Sequence, residues 1–203
     1  MASYRQIFLI HEEEIIMTTR KDLNFLILCG GTGSGKSYIK NMLCGQQGEF
    51  NADQRLTFNS PIQVTTRKQR EEEPYNSYLF IDKETYDELV LNSCLTAKTH
   101  FHDNYYGTLK SSLVYGRYAI NVIVASKEGA ADIANMYETD SFVNIKKALI
   151  LSDINDEIIE AHHRNKDFVK QEIYDLLADS YDYYIPNYIG KRATLKDVLS
   201  IIS

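Results

Sequence analysis

The stretch LNFLILC (23 to 29) constrains the fold more than any other part of the chain. It is almost unbroken in apolar side chains, is too short for a typical helix, and runs directly into Gly30 and Gly31. A strand with one face in water alternates polar and apolar residues, whereas a strand covered on both faces has no reason to. Continuous apolar character therefore predicts a parallel sheet buried between helices. YAINVIVA (118 to 125) and KKALILS (146 to 152) read as further strands of that kind. Helices are predicted from about Ser37, over ETYDELVLN (84 to 92), and through GAADIANMY (129 to 137). One or two more fall within 156 to 180, and TLKDVLSII (194 to 202) closes the chain with Thr194 as its cap. YDYYIPN (181 to 187) reads as a last strand. Buried strands alternating with helices indicate an α/β domain.

Residues from about 60 to 110 differ. Short, alternating strands at Ile62 to Thr66, Tyr78 to Ile81 and TAKTHFH (96 to 102) mark a candidate inserted subdomain. The division expected is an N-terminal arm over 1 to 22 and one globular domain over 23 to 203. With 203 residues, 44% of them apolar, such a domain can bury a full core.

Charge narrows the range of functions. A net charge of −6 argues against a general nucleic-acid binder, which needs Lys and Arg to neutralise phosphates, so any anion site must be local. The three cysteines, Cys29, Cys44 and Cys94, lack a CxxC spacing and suggest neither a disulfide framework nor a zinc site. No apolar run approaches the roughly 20 residues of a membrane span, and charges interrupt any signal-like core near the start. The expectation is a cytoplasmic protein that engages neither nucleic acid nor membrane.

Directly after the first strand comes GGTGSGKS, which fits GxxxxGK[ST] over Gly30, Gly31, Thr32, Gly33, Ser34, Gly35, Lys36 and Ser37. The glycines let successive backbone N–H groups converge on an anion. Lys36 sets a point charge on the terminal phosphates, and the Ser37 hydroxyl can hold Mg²⁺. The ligand expected is ATP with Mg²⁺.

A phosphate cradle alone does not define a reaction. TTRKQREEEPYNSYLF (65 to 80) supplies the second half: Arg67 and Arg70 can clamp another phosphate in line with the first, with a carboxylate to orient them and a tyrosine hydroxyl to complete the grip. Together with FHDNYYGT (101 to 108), these segments resemble in order and spacing the guanylate kinases, P-loop enzymes with a parallel sheet and an inserted nucleoside-monophosphate-binding region. The resemblance implies that Arg67, Arg70, Tyr78 and Tyr106 grip the acceptor monophosphate, that Glu73 orients an arginine, and that Thr108 touches the base. It also implies a lid over about 155 to 178, shortened here, in which Arg164 joins Lys36 on the transferring phosphoryl group, and an Asn187 near the adenine of ATP.

The base-reading positions depart from the family pattern. Gln63 stands at the guanine-reading serine, Ala97 at the guanine-reading glutamate, and Val124 and Ser126 at an acidic pair that ends a strand. Activity is accordingly expected on a (deoxy)nucleoside monophosphate with an altered base, such as a deoxypyrimidine or a modified base. Two rivals stay open: a non-catalytic guanylate kinase-like binding module, and a kinase of a phosphorylated sugar. His11, His100, His102, His162 and His163 have no third ligand near them in the pattern and are expected on the surface or along a pocket.

Overall fold

A computed structural model of the chain describes residues 22–31, 33–45, 56–71, 73, 77–101, 103–153, 166–188 and 192–202. Residues 1–21 of the N-terminal arm, Thr32, His102, and residues 155–165 of the expected lid with His162, His163 and Arg164 lie outside the described residues.

The apolar run forms β1 (Leu23–Cys29), followed by α1 (Lys36–Gly45), β2 (Thr57–Asn59), β3 (Gln63–Thr65) and β4 (Leu79–Phe80). Next come α2 (Lys83–Leu91), β5 (Leu95–Phe101), β6 (Asn104–Leu109), a 3₁₀ turn at Lys110–Ser112, β7 (Ala119–Val124) and α3 (Lys127–Met136). The chain continues through β8 (Val143–Leu151), α4 (Lys166–Leu177), β9 (Tyr183–Pro186) and α5 (Leu195–Ile202).

Five strands form one sheet in the order β2-β7-β1-β8-β9, with every neighbouring pair parallel. β1 is central and covered on both faces. Leu26 and Leu28 pack with Ile39, Leu43, Ile185 and Val198 on one side, and Phe25 and Ile27 pack with Ile123, Ile133 and Leu176 on the other. Burying aliphatic side chains of this size contributes about 1.5 to 3 kcal/mol each, which explains the lack of polar alternation in this segment. The predicted closing helix forms, and Thr194 caps it reciprocally: Thr194 N and Oγ1 donate to Asp197 Oδ2 at 2.9 and 2.7 Å, and Asp197 N donates back to Thr194 Oγ1 at 3.2 Å.

Asn121 is a polar residue in the middle of the core strand β7, with no exposed surface. Its Nδ2 donates to Asn24 O and Val114 O, while its Oδ1 accepts from Asn59 Nδ2 and Val114 N, all at 2.8 to 3.1 Å. All of its hydrogen-bonding capacity is used, so the cost of burying it is offset.

The segment between β2 and β7 builds a separate four-stranded sheet in the order β4-β3-β6-β5. It is mixed: β3 runs parallel to β4, while β6 runs antiparallel to both β3 and β5. The ladder of β5 on β6 shifts register between Thr96 and Thr99, and Ala97 within that bulge adopts φ +55°. Bulges re-aim side chains, and this one stands beside the cavity described below. Among the described residues no helix is long and apolar enough to cross a membrane.

Candidate functional site

The turn leaving β1 depends on its glycines. Gly33 and Gly35 have φ of +76° and +91°, a region that L side chains rarely adopt. A Cβ on Gly30 (φ +155°) would stand 2.6 Å from Ser34 Oγ and 3.0 Å from the Ile150 carbonyl oxygen, too close for either to remain in place. Lys36 opens α1, and its Nζ donates to the carbonyl oxygens of Gly30 and Gly31 at 2.6 and 2.8 Å. The ammonium is thus held over the loop. Ser34 is fully buried, and its hydroxyl has no hydrogen-bond partner among the described residues. Asn187, just past β9, donates from Nδ2 to Ser34 O at 2.8 Å, and its Oδ1 accepts from Ala193 N at 3.1 Å. The loop is therefore tied to the segment that leads into α5.

On the other sheet, β3 leads into the charged turn. Arg67 donates from Nη2 to both carboxylate oxygens of Glu73 at 2.8 and 2.9 Å and from Nη1 to Lys68 O at 2.8 Å. Glu73 Oε2 also accepts from Arg70 N at 3.3 Å. Burial works against the charge on Glu73, yet the bonds from Arg67 and the Arg70 backbone outweigh it and hold the carboxyl below its ordinary range. Burial likewise opposes charge on Arg67, and the bonds and charge of Glu73 again prevail, so the guanidinium stays protonated. It lies 5.7 Å from the centre of the Tyr78 ring and 5.5 Å from that of Phe80. Tyr78 packs edge-on against Tyr106 at 6.1 Å, and burial raises its phenol pKa above the usual value.

A cavity of about 320 Å³ joins the two halves. Gly30, Gly33, Lys36 and Ser37 line it from the loop, and Arg67, Arg70, Glu73, Tyr78 and Tyr106 from the second sheet. Gln63, Ala97 and Ser126 complete the predicted residues that reach it. Among the described residues that line it Glu73 is the only carboxylate, and both oxygens are engaged by Arg67. Asn187 lines a smaller cavity of about 190 Å³ on the far side of the loop, with Tyr38, Asp153 and Arg192. The Arg192 guanidinium sits 5.6 Å over the Tyr38 ring there.

A family model described as guanylate kinase matches residues 22–121. A guanylate kinase of Bacillus anthracis is 27% identical over 190 residues, covering 84% of this chain and 83% of the relative. One of Mycoplasmopsis pulmonis is 26% identical over 184 residues, covering 84% and 89%. The crystal structure of guanylate kinase from Anaplasma phagocytophilum has the same fold, with a TM-score of 0.58 at 19% identity over 83% of this chain and 78% of that one. The chain is guanylate kinase-like.

In this guanylate kinase-like chain, one residue expected to touch a base does not reach the cavity. Thr108 is fully buried in β6, between its register partners Gln63 on β3 and Thr96 on β5. Neither Thr108 Oγ1 nor Thr96 Oγ1 has a hydrogen-bond partner among the described residues. Gln63 is directed inward, its Nε2 donating to Val124 O at 2.8 Å. Ser126 caps α3 by accepting from Gly129 N at 3.2 Å. The exposed His100 stacks on Tyr105 with ring centres 4.5 Å apart, and among the described residues no cluster of His, Cys, Asp or Glu could hold a metal. Sequence reasoning missed Thr99 and Phe101 as lining residues, and Tyr38 and Arg192 on the far side. Their only sequence signal is adjacency to the motifs.

Proposed function

We propose that this chain is an ATP-dependent nucleoside monophosphate kinase. The observation that carries the reading is the cavity bounded by the Lys36 loop on one side and the Arg67–Glu73 pair with Arg70, Tyr78 and Tyr106 on the other. The acceptor phosphate would lie against Arg67 and Arg70, with one of its oxygens directed at the γ-phosphorus of ATP. That oxygen forms the new P–O bond as the bond to the β,γ-bridging oxygen breaks, leaving ADP and a nucleoside diphosphate. Holding both reactants in line supplies most of the rate, and Lys36 with Arg164 would offset the charge on the phosphoryl group in flight.

Mg²⁺ would neutralise charge on the phosphates when bound. Ser37 is exposed at the cavity, a hydroxyl well suited to a cation that takes its remaining ligands from phosphate oxygens and water. The buried, unpartnered Ser34 hydroxyl and the converging loop amides suit the polyphosphate. Asn187 and the far cavity would take the adenine side, the four-stranded sheet (about 60–110) the monophosphate, and residues 155–178 the lid. The domain would span 23–203, with 1–22 as an added arm. Three free cysteines suit a reducing, cytoplasmic setting.

The acceptor base would not be guanine. Guanine presents adjacent donors at N1 and N2, which a carboxylate reads well, whereas the one carboxylate among the described residues at the cavity is committed to Arg67. Thr108 is buried away from the cavity and would not touch the base, and Ala97 offers no side-chain acceptor. The test is a panel of ribo- and deoxyribonucleoside monophosphates and phosphorylated sugars incubated with ATP and Mg²⁺ and scored for phosphoryl transfer. Transfer to at least one nucleotide is expected. ATP binding without any transfer would favour the binding-module reading, and transfer only to a phosphorylated sugar would favour the other rival.

A further inference from the structure

Thr99 and Ser126 are 27 residues apart in the chain, yet their hydroxyl oxygens stand 3.1 Å apart. Both line the cavity shared with Arg67 and Lys36. Two features bring them together. The bulge in β5, with Ala97 at φ +55°, shifts the register between Thr96 and Thr99, so that Thr99 rejoins the ladder opposite Tyr106. On the other side, a Cβ at Gly129 would meet Thr99 Oγ1 at 2.7 Å, so only glycine lets α3 approach this closely.

The hydrogens of this pair can be counted. Ser126 Oγ already accepts from Gly129 N. One of the two hydroxyl hydrogens bridges the oxygens, and whichever way the bridge runs, the other remains for the cavity. Gln63 is fixed in the complementary sense. Because its Nε2 donates to Val124 O, the amide cannot exchange its ends without setting oxygen against oxygen, so Oε1 is held as an acceptor. The cavity thus offers a spare hydrogen at the hydroxyl pair and a fixed acceptor at Gln63, both neutral.

We propose that the Thr99–Ser126 hydroxyl pair is a specificity determinant of the acceptor site, reading with Gln63 a base edge that places a carbonyl beside an N–H. That edge belongs to uracil and thymine (O4 beside N3–H). Cytosine presents an acceptor at N3, which would face the Gln63 oxygen. Guanine has a comparable O6 and N1–H, but adds a 2-amino group for which the described residues of the cavity offer no free carboxylate. The inference rests on the monophosphate-kinase reading above.

The experiment measures KM and kcat for uridine, thymidine, cytidine and guanosine monophosphates, and KM for ATP, in the wild-type protein, Thr99→Val and Thr99→Ser. The wild type is expected to prefer uridine or thymidine monophosphate. Thr99→Val removes one hydroxyl and with it the bridge that orients the Ser126 hydroxyl, so the spare hydrogen is no longer held toward the base; KM for that acceptor should rise about tenfold, the scale of one neutral hydrogen bond, with KM for ATP unchanged. Thr99→Ser should restore it. A wild-type preference for the cytidine or guanosine nucleotide overturns the inference and leaves the kinase reading intact. So does an acceptor KM unmoved in Thr99→Val, or an equal rise for acceptor and ATP, which marks a merely structural role. Failure to phosphorylate any monophosphate overturns the kinase reading and this inference with it.

Discussion

Arg67→Ala probes the acceptor half of the site most directly. Arg67 and Glu73 are largely buried, at 15% and 14% side-chain exposure, and are joined by two contacts at 2.8 and 2.9 Å. Removing the guanidinium withdraws a charged fork from the proposed acceptor phosphate and takes from Glu73 its only bonds to a cationic side chain among the described residues, while the 3.3 Å bond from Arg70 N stays. Losing a charge-assisted contact of this kind to the acceptor phosphate costs about 2 to 5 kcal/mol, which at about 1.4 kcal/mol per decade is about thirtyfold to a few thousandfold in affinity. The uncovered Glu73 carboxylate would also repel the incoming phosphate, which favours the upper end of that range. Steady-state kinetics with each substrate varied in turn provides the assay. The acceptor kcat/KM should collapse while KM for ATP changes little, and Arg67→Lys should fall between, since an ammonium keeps the charge without the fork. Equal losses for both substrates, or none, would refute the assignment of Arg67 to the acceptor phosphate.

Lys36→Ala should abolish phosphoryl transfer and leave the fold intact, because the two bonds its ammonium makes to the loop carbonyls of Gly30 and Gly31 do not hold the sheet together; product assays alongside circular dichroism check both parts. Asn121→Leu keeps the branched shape but removes every side-chain hydrogen bond at this fully buried position, including those to Asn24 O and from Asn59 Nδ2, so urea denaturation should show a loss of about 2 to 4 kcal/mol. Glu73 has its folded pKa held below the ordinary 4.5, so its contribution to stability is present above that value and is lost as pH falls through the folded pKa. Acid unfolding of Glu73→Gln should therefore show a smaller loss below pH 4.5 than the wild type, and an identical slope would count against the pairing.

What was legible in the sequence follows from distance along the chain. LNFLILC gave away a strand buried on both faces because that demand falls on every residue of it, and GGTGSGKS was legible because the chemistry lies within one turn. The strand over KKALILS starts earlier than its apolar part, at Val143, since its first residues meet water. The short strand TFN (57 to 59) has no periodicity to detect, and YYGT was read as a motif although it is also most of β6. Asn121 is a polar residue within AINVIVA, and only the folded structure supplies the partners at Asn24, Asn59 and Val114 that make it tolerable. The base-side wall was least legible. Gln63 meets Val124 across 61 residues, Thr99 meets Ser126 across 27, and the positive φ of Ala97 falls on a residue with no local reason to adopt it.

The two sheets also differ in how soon they can form. In the parallel sheet Asn24 pairs with Ile120 and Leu23 with Val143, so β1 finds its neighbours only after very long stretches of chain have closed. β5 and β6 follow one another and pair antiparallel from Leu95 to Leu109, a contact that a hairpin makes on the scale of about 1 to 10 μs. Closure of distant strands is the slow event in folding. During refolding, amide protection is therefore expected at Thr99 and His100 before Leu26 and Ile27, as pulse-labelled hydrogen exchange would record. The β5–β6 hairpin would then be in place while the glycine-rich loop after β1 is still unformed, because that loop takes its shape only once β1 is seated between β7 and β8.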